Sequence, residues 1–168
     1  VTSLAVVLAT ACEPTTTPTT TTTTRPVTTV SPDGYDGTTS ATAGASCWGI
    51  LRAYPSSPSG TYWLSAPAMD RPQQFYCDMT TDGGGWVLIG RGREGWTWSP
   101  AGQQGTAAVR STVSGSGAFA PAALDSATIT GLINGASPAA LGDGIRVERA
   151  TNTAGTAKQQ IRMYPRFT

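Results

Sequence analysis

The sequence predicts an α+β fold that begins after a long disordered segment. Two short helical patterns alternate with runs of aromatic and β-branched residues that are typical of strands. The composition also changes abruptly near residue 46, where a Thr/Pro-rich stretch gives way to regularly spaced apolar side chains. With 168 residues in all, the chain has room for one ordinary domain plus tails.

The charge balance excludes several classes of function. The chain has 11 Lys and Arg, 10 Asp and Glu, and no His. Without a basic cluster, binding to nucleic acid or to an acidic membrane surface is not expected. Without histidine, Ser-His-Asp and Cys-His catalysis and imidazole metal sites are excluded as well.

Residues 1–12 are predicted to be an export signal whose basic beginning is missing. An apolar run ends in small residues and Cys12, as a secretory segment and its cleavage site do. The run is shorter than the about 20 apolar residues that span a bilayer. The last four residues resemble a bacterial lipobox, although Ala9 stands where Leu is usual, so Cys12 is a candidate lipidated N-terminus. A plain cleaved signal and a buried structural segment are the alternatives.

Residues 13–45 are predicted to be a disordered stalk. They include an unbroken run of Thr from Thr19 to Thr24 and almost no large apolar side chains. Such a segment cannot bury enough surface to offset its ordering entropy. Either as a plain linker or as an O-glycosylated one, it would hold a domain away from a surface.

The domain is predicted over 46–168, and its first half has clear local signals. A helix over 47–54 would begin after Ser46 and end at Pro55. Strands are predicted over 60–64, 74–79 and 86–89, and the last two would form a hairpin across a glycine-rich turn.

The second half is predicted to add a helix and a strand. Residues 127–134 have a helical pattern, with Asp125 or Ser126 as the N-cap and Gly135 as the stop. Residues 145–149 alternate between apolar and charged side chains, which predicts a strand with one buried and one solvated face.

One block of residues resembles a known family. Residues 75–86 read FYCDMTTDGGGW, with Cys47 upstream, and this block resembles the start of fibrinogen C-terminal-like domains, particularly their bacterial YCD…GGGW form; intelectins share it. The matching motif residues, expected to be structural, are Tyr76, Cys77, Asp78, Gly83, Gly84, Gly85 and Trp86.

The resemblance implies an extracellular recognition module with a small disulfide-stapled helix and hairpin leading into an antiparallel sheet. It implies a disulfide between Cys47 and Cys77, and it makes residues 161–167 a candidate for the strand that follows 145–149. In these families calcium and ligands bind in the C-terminal half of the domain, and Thr168 lies about where that half would begin. The chain is therefore expected to be incomplete, with no cofactor and no metal ligand of its own.

Candidate ligand-binding and acid–base residues are few. Trp96 and Trp98 lie two residues apart, so on an extended chain they would face one side and could stack on a sugar; packing in the core is the alternative. The carboxylates of Asp70, Asp78, Asp82 and Glu94 are the acid–base candidates, and those of Asp78 and Asp82 are expected to accept bonds from turn backbone. Asp82-Gly83 and Asp143-Gly144 lack the spacing of an EF-hand loop.

The predicted function is a non-catalytic recognition or adhesion module on a bacterial surface. Its expected partner is a glycan or a cell-surface protein, its expected contact with a membrane is a lipid on Cys12, and no nucleic acid is expected. The alternative is the anchoring and spacing part of a larger exported enzyme, whose active site would lie outside this chain.

Overall fold

The computed structural model describes residues 5–9, 35–93, 96–135 and 141–164. The helices are α1 (Cys47–Ala53), α2 (Gly105–Arg110) and α3 (Ser126–Leu132). The strands are β1 (Ala5–Ala9), β2 (Gly60–Leu64), β3 (Gln73–Asp78), β4 (Trp86–Arg91), β5 (Ala122–Ala123), β6 (Ile145–Ala150) and β7 (Lys158–Met163). All seven form one antiparallel sheet in the order β2-β3-β4-β1-β6-β7, with β5 paired to β4. The predicted α+β class is confirmed.

A disulfide attaches helix α1 to the sheet, as predicted. The Ser46 hydroxyl accepts a bond from the Gly49 N–H at 2.9 Å and so caps the helix. Cys47 and Cys77 form the disulfide, with their Cα atoms 5.6 Å apart. Because Cys77 lies in β3, the bridge holds α1 against the β3–β4 hairpin.

The turn of that hairpin requires glycine. Gly84 has φ +73, and a Cβ there would lie 2.1 Å from the Met79 carbonyl oxygen. Gly85 has φ +79, and a Cβ there would lie 2.9 Å from Trp48. Close backbone approach and a left-handed conformation together explain the three consecutive glycines.

The domain begins earlier than the sequence analysis places it. Residues 36–44, assigned there to the stalk, lie along β2: the Trp63 N–H donates to the Gly37 carbonyl at 2.7 Å, and the Gly44 N–H donates to the Trp63 carbonyl at 3.0 Å. A Thr39–Thr42 capping box closes a short 3₁₀ turn. The boundary at 45 is therefore about nine residues too late, because local polar composition does not reveal pairing with a distant strand. Residues 13–34 lie outside the described residues.

The second half follows the prediction in its main elements. Asp125 caps α3 by accepting the Thr128 N–H at 2.8 Å, and β6 and β7 pair as a hairpin, with β7 starting at Lys158 instead of 161. Helix α2 and strand β5 were not predicted. Helix α2 has only six residues and one buried side chain, Val109, too little for a periodic pattern.

Strand β6 alternates between buried and less buried positions as expected, but two of its three charged side chains occupy buried positions. Arg146 is fully buried and Glu148 nearly so, whereas Ile145 and Val147 are half-buried. The face of the sheet that carries Trp86 and Leu88 is thus polar around β6.

Strand β1 is formed by residues within the predicted export signal. It lies between β4 and β6 and pairs with both, with Val7 opposite Gly90 and Val147. The remaining residues of 1–12, including Cys12, lie outside the described part of the chain, so the signal and the lipobox stay predictions.

Candidate functional site

A buried ion-pair cluster joins β3 to the β6–β7 hairpin. The Arg146 Nη2 atom lies 2.5 Å from Asp78 Oδ2 and 3.2 Å from Glu148 Oε1. Lys158 Nζ lies 2.9 Å from the other oxygen of Glu148. Arg146 also donates to the Thr81 carbonyl at 2.8 Å. Two carboxylates and two cations thus alternate across the sheet face.

Asp78 is held in its ionised form. Its Oδ1 accepts bonds from the Thr80 N–H at 3.1 Å and the Thr81 N–H at 3.0 Å, which confirms its expected role in the turn. Burial on its own raises the pKa of the carboxyl, but the bonds from Thr81, Arg146 and Thr80 outweigh it and lower the pKa from 3.8 to about 2.

Two guanidinium groups enclose the Trp86 ring. Arg146 lies 4.9 Å and Arg162 4.8 Å from the ring centroid, within the range of cation–π attraction. Arg162 also pairs with Asp143 at 3.0 Å and with Asp82 at 3.5 Å. Asp82 therefore ties the glycine turn to the β6–β7 hairpin, whereas it was expected to bond turn backbone.

A polar pocket of about 260 Å³ lies beside the cluster. Its lining combines carboxylates, hydroxyls and one ammonium group with two apolar residues, Leu88 and Val113. The polar lining residues are Ser59, Tyr76, Asp78, Thr80, Thr81, Ser114, Glu148 and Lys158. Ser59 is fixed by the Met79 N–H, which donates to its hydroxyl at 2.9 Å.

The charges around this polar pocket balance. Asp78 and Glu148 supply two negative charges, and Arg146 and Lys158 supply two positive ones. Burial and then the carboxylates of Asp78 and Glu148 raise the pKa of the Tyr76 phenol above 10.0, so its hydroxyl stays protonated at neutral pH. The pocket can accept and donate hydrogen bonds without favouring a strongly charged ligand.

Trp96 and Trp98 lie together against the end of β4. Their ring centroids are 5.3 Å apart at 48°, and Trp96 donates its indole N–H to Gln103 Oε1. A Cβ on Gly90 would lie 2.7 Å from Trp98, and one on Gly92 would lie 2.7 Å from Trp96. Both rings remain partly exposed, so their role in ligand stacking stays a prediction.

The other acid–base candidates do not join the polar pocket. Asp70 is exposed in the loop before β3, Asp82 pairs with Arg162, and Glu94 lies outside the described residues. Within the described ranges, no group of three or more His, Cys, Asp or Glu side chains could hold a metal ion.

Sequence reasoning missed Arg146, Glu148, Lys158 and Ser59. The alternation over 145–149 showed a strand, but it did not show that the charged side chains face inward. Arg146 and Asp78 are 68 residues apart, and no local pattern links them. The one available signal was two opposite charges at alternate positions of a single strand.

Comparisons with known proteins agree with the first half of the domain. Residues 47–98 match the family model of the fibrinogen beta and gamma chains, C-terminal globular domain, which supports a fibrinogen-like domain. Neither the curated proteins nor the solved structures gave a match. Among the described residues, no helix is long and apolar enough to cross a membrane.

Proposed function

We propose that this chain is an extracellular, non-catalytic recognition module that binds a neutral glycan in the polar pocket between β3 and β7. The observation that carries the proposal is the lining of that pocket, in which hydroxyls surround a charge-balanced pair of carboxylates and cations. The match of residues 47–98 to a fibrinogen-like domain supports the same class of function.

The chemistry of the pocket favours a polyhydroxylated ligand. A sugar hydroxyl can donate to a carboxylate and accept from an ammonium group at the same time, and Glu148 and Lys158 offer that pair 2.9 Å apart. The volume of about 260 Å³ is below the about 300–1,000 Å³ of sites for drug-sized molecules. It therefore suits one terminal sugar residue, not a long chain.

The same geometry argues against acid–base catalysis. A general acid at neutral pH needs a carboxyl whose pKa is raised toward 7. The pKa of Asp78 is lowered to about 2, and its oxygens already accept bonds from Arg146 and two backbone N–H groups. These bonds keep Asp78 ionised, so it does not exchange a proton at neutral pH.

Surface anchoring through Cys12 completes the proposal. Cleavage before Cys12 and acylation of the new N-terminus would attach the domain to a membrane through the stalk. Mass spectrometry of the protein exported by a bacterial host tests this part. A lipid-modified Cys12 in the membrane fraction is expected, and a different mature N-terminus in the medium would leave plain secretion.

A glycan array probed with the full chain tests the recognition. Saturable binding to a neutral terminal sugar, independent of calcium, is expected. Trp96→Ala and Trp98→Ala should retain that binding, because the proposed site lies in the polar pocket. If either substitution abolishes binding while the protein stays folded, the site lies at the aromatic pair.

A cell-surface protein is the second candidate partner, and exposed apolar residues favour it. Ile161, Met163 and Tyr164 are 62%, 45% and 55% exposed at the end of the edge strand β7. Large exposed apolar side chains on an unpaired sheet edge are typical of protein contacts. Crosslinking to intact cells that survives removal of surface glycans would favour this partner.

A further inference from the structure

Tyr76 carries a polar group that lines the polar pocket and that the chain itself does not use. Its side chain is half-buried, and within the described residues its hydroxyl makes no hydrogen bond. Tyr62, a buried tyrosine on the neighbouring strand β2, instead donates its hydroxyl to the Pro58 carbonyl at 2.7 Å. Since polar groups withdrawn from water are normally paired, an unpaired hydroxyl in a pocket calls for a functional explanation.

The carboxylate oxygens of the polar pocket do not take up this hydroxyl, because other donors already occupy them. Asp78 Oδ1 accepts bonds from two backbone N–H groups, and its Oδ2 accepts from Arg146 at 2.5 Å. The two oxygens of Glu148 lie 3.2 Å from Arg146 Nη2 and 2.9 Å from Lys158 Nζ. The hydroxyl of Tyr76 is therefore left free to donate to an acceptor that enters the pocket.

Strand geometry and charge both keep this hydroxyl in place as a donor. Alternate residues of a strand point to opposite faces, so Phe75 and Cys77 face the core on one side of β3, and Tyr76 and Asp78 face the other. Burial, and then the carboxylates of Asp78 and Glu148, raises the pKa of the Tyr76 phenol above 10.0. The phenol thus keeps its proton at neutral pH.

We propose that Tyr76 determines the specificity of the polar pocket by donating its hydroxyl to one hydroxyl oxygen of a bound sugar. This inference rests on the proposed function. A sugar with an oxygen at that position gains a hydrogen bond, whereas a sugar without it leaves the phenol unpaired in the closed pocket. Sites that bond one ligand oxygen reject the analogue that lacks it. The pocket therefore selects a neutral sugar by the position of a single hydroxyl.

An NMR titration of the full chain with simple glycosides tests this selection. The probes are the methyl glycosides of galactose, glucose and mannose, and then the four monodeoxy analogues of the one that binds the wild type most tightly. Tyr76→Phe should weaken binding of that parent glycoside about fivefold, as the loss of one neutral hydrogen bond does. For one of the monodeoxy analogues, the same substitution should change the Kd by less than about twofold, because the oxygen that Tyr76 bonds is missing.

Two other tyrosines provide matched controls. Tyr35 is 70% exposed and does not line the polar pocket, so Tyr35→Phe should leave every affinity unchanged. Tyr62→Phe loses the bond to Pro58, so it should lower the melting temperature and keep the affinity. Tyr76→Phe loses no bond within the described chain, so its melting temperature should be no lower than that of wild type.

Four results would overturn the inference. If Tyr76→Phe binds the parent glycoside as tightly as wild type, Tyr76 does not set specificity, although glycan recognition in the pocket still stands. Equal weakening for the parent and all four analogues would show that no single oxygen is bonded. A melting temperature lowered as far as that of Tyr62→Phe would show that the hydroxyl is bonded within the folded chain. Absence of wild-type binding to all three glycosides would overturn this inference together with recognition of a single terminal sugar.

Discussion

The Asp78 carboxylate gives the most quantitative test of the buried cluster. Its pKa falls from 3.8 to about 2 in the folded chain, and since each pKa unit is worth about 1.4 kcal/mol, the carboxylate contributes about 2 kcal/mol at neutral pH. Asp78→Asn also leaves the fully buried Arg146 with only Glu148 as an acidic partner. We therefore expect a loss of roughly 2–4 kcal/mol at pH 7.

The pH dependence has a definite sign. A lowered pKa contributes stability that is complete above about pH 5 and is lost progressively as the pH falls toward 2. Urea unfolding between pH 5 and pH 2 should therefore show a wild-type stability that falls with acid and an Asp78→Asn stability that falls less. Asp143→Asn, which removes a pair with a 42% exposed side chain, should stay within about 0.5 kcal/mol of wild type at pH 7. Parallel pH profiles for wild type and Asp78→Asn would refute the reasoning.

Three further stability predictions follow from single contacts. Replacing Cys47 and Cys77 together by Ala should lower the free energy of unfolding by roughly 3–4 kcal/mol, since the bridge closes a 30-residue separation; a reductant should then leave the melting temperature of the double variant unchanged. Gly84→Ala should destabilise the domain by several kcal/mol, because the added Cβ would meet the Met79 carbonyl. Gly83→Ala should cost only about 1 kcal/mol of backbone strain, because a Cβ there has no neighbouring atom within 4 Å. Equal urea midpoints of the two variants would contradict this. Arg91→Ala should lower the free energy of unfolding by about 2–3 kcal/mol, because the buried guanidinium donates to the carbonyls of Ala108 and Ala120. Arg52→Ala, at an exposed position, should stay near wild type. Similar losses in the two variants would show that the buried bonds do not matter.

Local signals account for the parts of the fold that the sequence predicts well. Ser46 and Pro55 bound α1 because capping and the missing proline N–H act within one turn of the chain. The glycines before Trp86 mark the hairpin turn for the same reason, since their left-handed conformations are local. Asp125 predicts the start of α3 in the same way.

Long-range pairing accounts for what the sequence does not predict. Arg146 is buried because Asp78, on a strand 68 residues earlier, lies beside it, and the apolar residues of β6 face the less buried side as a result. The early start of the domain at residue 36 likewise depends on hydrogen bonds to Trp63 in β2. The place of residues 5–9 between β4 and β6 depends on two strands far along the chain.

The most direct test of the proposed function is a titration of the full chain with a neutral glycan identified on the array. Lys158 lines the polar pocket with its side chain 38% exposed, and Arg149 is an exposed cation on the neighbouring strand. Lys158→Met should weaken binding at least tenfold, which is about 1.4 kcal/mol, whereas Arg149→Met, with the same loss of charge, should leave the Kd within about twofold. Equal affinities of the two variants, with both proteins folded, would contradict glycan recognition in this pocket.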